Sequence, residues 1–340
     1  MMVKVLVVDD SALMRKMLSE ILASDSGIQV VGTAIDGRDS LKKISTLRPD
    51  VITLDLEMPD MDGIEVLKKI VSQYNIPVVI VSSHTQKGSE KSLEAMNAGA
   101  VDYVFKPTYQ NMDEISYELK FKVKAAARAK IPKFKISKVR KKTFGSTRKK
   151  IVVIASSTGG PQTLEALLVQ LPKEIPAPIL IVQHMPPGFT KSFAERLNTL
   201  CDLEVREAKQ GDELKNGLVL IAPGGYHMEL KSDIEGMEGS IYLDNKTPPE
   251  LGVRPNANRL FNSVVKIFGE NTIGIVLTGM GSDGKEGSRT IKEHNGTIIA
   301  QSEETCVIYG MPKEVIVAGL ADEIVPLEKI PVSLVQLLDL

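Results

Sequence analysis

Tryptophan is absent from this 340-residue chain, and aromatic residues make up only 4% of it. Platforms for single-stranded nucleic acid depend on aromatic rings that stack on bases, so that class of function is disfavoured. Cysteine is almost as scarce. Cys201 and Cys306 stand alone, without the paired spacing of a zinc site or a disulfide framework, and buried reduced thiols are expected. No apolar run approaches the roughly 20 residues needed to span a bilayer. The N-terminus, Met-Met-Val-Lys-Val-Leu-Val-Val-Asp-Asp, reaches acidic residues too soon for a signal peptide. A soluble cytoplasmic protein without membrane insertion is expected. The last scarcity is local: from Lys120 to Lys150 there are fourteen Lys/Arg and no Asp or Glu, although the net charge is −1. The remainder carries 28 basic against 43 acidic residues. A basic run of this kind serves as a nucleic-acid arm in some proteins; a solvated helix end and linker is the expectation here.

What is present is ordinary globular composition, 43% hydrophobic and 25% charged, in a chain long enough for two domains. Residues 1–120 repeat one unit five times: a short apolar strand, a turn, an amphipathic helix. Strands are expected at Lys4–Val8, Gln29–Thr33, Val51–Leu54, Val78–Val81 and Tyr103–Phe105. Between them apolar residues recur at helical spacing, as in Leu13, Met17, Leu18, Ile21 and Leu22. Alternation of this kind builds a parallel sheet covered on both faces, with functional groups at the carboxyl ends of its strands. Asp9 and Asp10 end the first strand, Asp55 the third, Ser82 the fourth, and Lys106 the fifth. Converging carboxylates repel one another unless a cation sits among them, and all-oxygen ligation suits Mg²⁺. A carboxylate in such a place can itself be the nucleophile towards a phosphoryl group.

Residues 121–149 read as a basic helix end and linker, the helix running from Asn111 until Ile131-Pro132 breaks it. Residues 150–340 form a second α/β unit. Its expected strands are Ile151–Ala155, Ile179–Gln183, Leu218–Ala222, Ile273–Leu277 and Thr297–Ala300. Helices are expected at Thr163–Gln170, Phe189–Asn198, Asn256–Phe268, Gly284–Glu293 and Pro312–Ala318. Between 201 and 255 loops are expected, with a hairpin of Met228–Leu230 against Ser240–Leu243.

The stretch 151–163, Ile-Val-Val-Ile-Ala-Ser-Ser-Thr-Gly-Gly-Pro-Gln-Thr, is a strand, a hydroxyl-rich turn and a proline-opened helix. Alone it fits a nucleophile, an anion-binding loop or a plain turn. Of the four histidines, His294 sits at a helix end, His84 lies in the first domain, and His227 follows a glycine turn beside a potential pocket. His184 ends a strand, as Ser157 does. Asp283 follows a third strand within Thr-Gly-Met-Gly-Ser-Asp-Gly. Serine, histidine and aspartate at three strand ends fit triad logic, which geometry rather than chain order defines. No Gly-x-Ser-x-Gly elbow is present, so an α/β-hydrolase is disfavoured. A P-loop and a Gly-x-Gly-x-x-Gly loop are excluded by the missing lysine and spacing. A DNA-binding output is also disfavoured, since no helix-turn-helix pattern appears.

Val-Val-Asp-Asp-Ser, Leu-Asp-Leu-Glu-Met-Pro-Asp-Met-Asp-Gly and Phe-Lys-Pro resemble the receiver domain of two-component response regulators. The resemblance implies a flavodoxin-like doubly wound fold and Asp55 as phosphoryl acceptor. It implies Mg²⁺ on Asp9, Asp10, Asp55 and the backbone of Glu57, with Ser82 and Tyr103 reorienting on phosphorylation and Lys106 completing the site. Ala-Ser-Ser-Thr-Gly-Gly-Pro, Gln-His-Met-Pro, Ala-Pro-Gly-Gly-Tyr-His, Thr-Gly-Met-Gly-Ser-Asp-Gly and Tyr-Gly-Met-Pro resemble the catalytic domain of the chemotaxis protein-glutamate methylesterases, the CheB family. That resemblance implies Ser157 as nucleophile, His184 as base and Asp283 as its orienter, with Thr158 and the Met280 backbone as oxyanion or orienting groups. It implies hydrolysis of glutamate methyl esters on chemoreceptors with methanol released, glutamine deamidation by the same chemistry, and no cofactor for the esterase. A chemotaxis histidine kinase is the implied phosphodonor, and the implied resting state has the receiver covering the triad. Two departures from the family pattern, the doubled serine at Ser156 and Asn-Ala-Asn after Val253-Arg254-Pro255, are expected to touch none of the three triad residues.

Overall fold

The structure, a computed structural model, describes residues 2–59, 61–83, 85–108, 112–129, 149–232 and 239–339. His84 and residues 130–148 of the expected linker lie outside these. The chain divides into two compact units, Met1–Ile131 and Pro132–Leu340.

The first unit runs β1 (Val3–Val8), α1 (Ala12–Ala23), β2 (Ile28–Ala34), α2 (Gly37–Leu47), β3 (Val51–Asp55), α3 (Gly63–Lys69), β4 (Val78–Ser82), α4 (Gln86–Asn97), β5 (Asp102–Phe105) and α5 (Met112–Ala126). All pairings are parallel and the strand order is β2-β1-β3-β4-β5. This is the flavodoxin-like doubly wound order, whose switch point lies between β1 and β3. Each expected strand is present within a residue or two at its ends. Residues of β3 and β4 are buried on both faces, which is why they read as unbroken apolar runs. Side-chain oxygens of Ser11, Asp36 and Asp62 cap α1, α2 and α3.

The second unit continues with β6 (Ile151–Ser156), α6 (Gly160–Leu168), β7 (Ile179–Gln183), α7 (Phe189–Leu200), β8 (Glu204–Glu207), β9 (Leu218–Ile221), β10 (His227–Lys231), β11 (Ser240–Asp244) and α8 (Ala257–Phe268). It closes with β12 (Thr272–Val276), α9 (Lys285–Glu293), β13 (Thr297–Gln301), α10 (Met311–Val317), β14 (Glu323–Val325) and α11 (Ile330–Asp339). Seven parallel strands are ordered β14-β13-β12-β6-β7-β9-β8, and β10 and β11 form a separate antiparallel hairpin. Beginning at β6, the chain fills one side of the sheet and then returns to place β12 on the other side. The switch point therefore lies between β6 and β12. Phe189, Phe193, Phe261 and Leu260 are among the side chains withdrawn from solvent around this sheet.

Three elements were not anticipated. β8 carries a single apolar residue in Glu-Val-Arg-Glu, and β14 is three residues long; both are sheet edges, where one side faces solvent and the apolar signal weakens. The expectation of loops and one hairpin over 201–255 is corrected by β8, which lies in the main sheet. α11 was masked by Pro331, which is tolerated in a first turn.

Candidate functional site

Two groups of side chains collect at the strand ends, one in each unit. In the first unit, Asp9 and Asp55 follow or end the two strands that flank the switch point, and both are fully buried. Asp55 accepts from Glu57 N (3.0 Å) through Oδ1 and from Lys106 Nζ (2.7 Å) through Oδ2. Asp9 Oδ1 accepts from Ser11 N at 2.8 Å. Its Oδ2 is ion-paired with Lys106 Nζ at 3.1 Å but makes no aligned hydrogen bond among the described residues. Carboxylate oxygens of Asp9, Asp10 and Asp55 lie within 4.8 Å of one another. Burial raises the pKa of Asp9 and the charge of Asp55 adds to it, while Lys106 and the Ser11 amide oppose. Burial draws the Lys106 pKa down, but Asp55 and Asp9 overcome this and hold it above the ordinary lysine value. One ammonium thus faces a surplus of carboxylate. A buried oxygen without an aligned hydrogen bond, in an all-oxygen cluster, fits a hard divalent cation of the Mg²⁺ type.

The other expected members of this site are close at hand. Ser82 ends β4; it is buried and its Oγ donates to Gly88 O at 3.1 Å. Ser83 is half-buried and its hydroxyl donates to Glu57 Oε2 at 2.9 Å, so the two adjacent serines serve different partners. The Tyr103 ring is buried on β5, with Lys122 Nζ 4.9 Å from its centroid. Burial lifts the Tyr103 pKa well above its ordinary value. Lys122 is itself paired with Glu118 (2.7 Å) and Asp102 (3.1 Å).

In the second unit, strand register brings the three expected residues to the switch point. Ser156 is opposite Gln183, so Ser157 and His184 each stand one residue beyond the ends of neighbouring strands. The backbone ties continue past the ladder: His184 N donates to Ser156 O (3.1 Å), and Ser157 N donates to Thr278 O (3.0 Å) just after β12. Gly279 follows. A Cβ there would lie 2.8 Å from Ser157 Cβ and 2.4 Å from Met311 Sδ, so only glycine lets this loop close over the serine. Gly159, at φ +75°, ends the turn after Ser157, and a Cβ on it would meet Val307 at 2.4 Å.

His184 Nε2 lies 2.8 Å from Asp283 Oδ2. Asp283 is 2% exposed and also accepts from Ala257 N (2.7 Å), Asn258 N (3.1 Å) and its own neighbour Gly284 N (2.9 Å). Ala257 and Asn258 are the first residues of α8, so the carboxylate occupies that helix's N-terminus, where amides lack intrahelical partners and the dipole favours an anion. Burial pushes the Asp283 pKa up, but His184 and the two helix amides more than offset this and hold it below the usual aspartate value. Thr158 is buried and its carbonyl accepts from Thr278 Oγ1 at 3.0 Å. Met280 is half-buried, its Cα packed so closely on Gly310 that a Cβ on that glycine would come within 3.0 Å.

The expectation that the Asn-Ala-Asn run touches no triad residue is corrected here, since its Ala257 and Asn258 amides hold Asp283, and backbone donors carry no residue signature; the run opens with Asn256. That residue caps α8, its side chain accepting from Arg259 N at 3.2 Å. His227 is fully buried at the start of β10, with Nε2 3.1 Å from Pro248 O. His294 caps the end of α9, its Nδ1 2.8 Å from Thr290 O, in keeping with its expected place.

Comparison with known proteins agrees with this two-part geometry. The family model for CheB methylesterase matches residues 152–334, and that for the response regulator receiver domain matches residues 5–117. A protein-glutamate methylesterase/protein-glutamine glutaminase of Halalkalibacterium halodurans is 46% identical, with 98% of each chain covered. One from Syntrophomonas wolfei is 43% identical over 98% of this chain and 99% of its own. The crystal structure of the Thermotoga maritima CheB methylesterase catalytic domain is 47% identical over 56% of this chain and the whole of its own, with a TM-score of 0.53. Among the described residues no helix is long and apolar enough to cross a membrane. With a receiver domain in front and a methylesterase domain behind, this chain belongs to the CheB methylesterase family.

Proposed function

We propose that the second unit hydrolyses γ-methyl esters of glutamate on chemoreceptors, and that phosphorylation of Asp55 in the first unit controls it. The observation that carries the reading is the 2.8 Å contact of His184 Nε2 with Asp283, at the switch point where Ser157 follows the neighbouring strand. Since Nε2 is committed to the carboxylate, Nδ1 is the nitrogen that acts on the serine. Ser157 Oγ attacks the ester carbonyl as His184 Nδ1 takes its proton. Asp283 stays ionised and stabilises the imidazolium. The negative charge that develops on the carbonyl oxygen falls to donors of the Thr158 turn and the Met280 backbone. Collapse of the tetrahedral species expels the methoxy group, which takes the proton from His184 and leaves as methanol. Water, deprotonated by the same nitrogen, then splits the acyl-serine to give glutamate. Glutamine in the same seat loses ammonia instead of methanol, the second activity in the relatives' names.

In the receiver, Asp55 Oδ attacks the phosphorus of a phosphohistidine on the kinase, and the P–N bond breaks as the acyl phosphate forms. Asp9, Asp10, Asp55 and the Glu57 carbonyl would hold Mg²⁺, which when bound offsets the charge of carboxylates and phosphoryl oxygens. Lys106 pairs with a phosphoryl oxygen, and Ser82 and Tyr103 reorient in response. Chemoreceptor signalling domains and their kinase place the work in the cytoplasm.

Ser157→Ala tests the esterase reading: methanol release from methylated receptor should vanish while Asp55 phosphorylation persists. Release at the parent rate would sink it. Asp55→Asn should lose stimulation by a small phosphodonor and keep basal esterase; an unchanged stimulation would refute the control.

A further inference from the structure

Gln183 ends β7 after four buried apolar residues, and at 2% exposure it is as buried as they are. An amide in such a place is stable only if its donors and acceptor are engaged. Gln183 Nε2 donates to Ser157 O at 3.0 Å and to His184 O at 3.2 Å. Both are carbonyls and accept only, which fixes the nitrogen on that side. Oε1 on the other side accepts from Ser156 Oγ at 2.7 Å. One buried side chain is therefore bonded to the residue carrying the hydroxyl, its predecessor, and the residue carrying the imidazole. Space for it is reserved by Gly160, where a Cβ would come within 1.9 Å of Gln183 Oε1.

The sheet does not need this amide for its register. Strand pairing already aligns Ser156 with Gln183, and His184 N already bonds Ser156 O. Beyond the ladder Ser157 is held by Thr278 O and Gly160 N, while Ser157 and His184 turn away on separate loops that the Gln183 amide links to each other. We propose that Gln183 is a positioning residue for the esterase: it ties the Ser157 and His184 turns together and so sets the alignment of Oγ with the imidazole. Ser156, half of the doubled serine, acquires a role as the donor that holds the strap's far end. The proposal rests on the reading of Ser157 and His184 as nucleophile and base.

The test is steady-state hydrolysis of methylated receptor by the full chain, with kcat and KM separated. Gln183→Leu keeps the volume and removes every bond. Because misplacement by about 1 Å costs on the order of a hundredfold, kcat should fall about 10- to 100-fold at little change in KM. Gly160→Ala, which displaces the amide without removing it, should reproduce the same split. Gln170→Ala is the structural control, since that buried amide bonds Ala166 O on α6; it should keep the parent kcat. Parent kcat in a folded Gln183→Leu would overturn the proposal, as would an equal loss in Gln170→Ala. If Gln183→Leu fails to fold, shown by its thermal transition, Gly160→Ala decides alone. Ser157→Ala runs alongside: turnover in it defeats the underlying reading, whereas an inactive Ser157→Ala beside a fully active Gln183→Leu defeats only the strap.

Discussion

The two sites of this chain share an architecture and differ in electrostatics. Each lies at the carboxyl ends of parallel strands beside a topological switch point, between β1 and β3 in one unit and between β6 and β12 in the other. Each is built on a buried aspartate. In the receiver the carboxylates outnumber their cation: Asp9 and Asp55 share Lys106, and among the described residues Asp9 Oδ2 has no aligned hydrogen bond. In the esterase unit Asp283 has four donors, three of them backbone amides. The receiver site thus carries a charge deficit that a cation and a phosphoryl group can exploit. In the second unit the charge of Asp283 is compensated in advance, as its proposed role of orienting one imidazole requires. A sheet edge sets where chemistry happens; the donors gathered there decide which chemistry it is.

Breaking the comparison at its strongest point should have the largest effect. Asp283→Asn offers the imidazole the wrong partner, and kcat for ester hydrolysis should drop by about 10⁴, as removal of the orienting charge does in triads. Asp55 phosphorylation, followed with a labelled phosphodonor, should be unaffected. Next comes Lys106→Met, which leaves two buried carboxylates facing each other. Loss of one partner from a buried ion pair costs about 3 kcal/mol, so the receiver's unfolding midpoint in urea should fall accordingly.

The reverse change is smaller and opposite in sign. Asp9→Asn relieves the deficit while its side-chain oxygen can still accept from Ser11 N. Without divalent cations the receiver should gain about 1 kcal/mol, read as a rise of roughly 4 °C in its thermal midpoint. Because burial raises the Asp9 pKa, its ionisation opposes folding. The gain should therefore be absent at low pH, open as pH rises above the unfolded value of about 3.9, and be complete above the raised folded value. Asp283 runs the other way. Its depressed pKa contributes stability that is present above about 3.9 and lost as pH falls through the folded value, so acid should weaken the esterase unit. Thermal scans from acidic to neutral pH that moved both units in parallel would contradict the contrast. The smallest effect calibrates the rest. Lys69→Ala removes an exposed i,i+4 pair with Glu65 on α3 and should change stability by less than about 0.5 kcal/mol.

Much of this was legible in the residues. The five strand–helix repeats before residue 120, the apolar runs of β6, β7 and β12, and the polar residues ending β6 and β7 are local patterns, because burial on both faces leaves an unbroken apolar run. The edge strands β8 and β14 were not legible, since half of each faces solvent and no run survives. Gln183 read as the last residue of a strand, which it is, and nothing nearby in sequence tells that its amide reaches Ser157 and His184. Asp283 read as an aspartate in a glycine turn, and its cradle of amides was invisible.

By itself the sequence determined that there are two doubly wound units, which residues stand at their strand ends, and which chemistry those side chains allow. These follow from short-range periodicity and from the identity of single residues. Only the tertiary structure decided that β12 lies against β6, across residues 157–271, and so that Asp283 meets His184. It also decided that the N-terminus of α8 points at that carboxylate. Both depend on packing and on backbone donors, which are the same in every residue but proline and therefore leave no mark in the sequence.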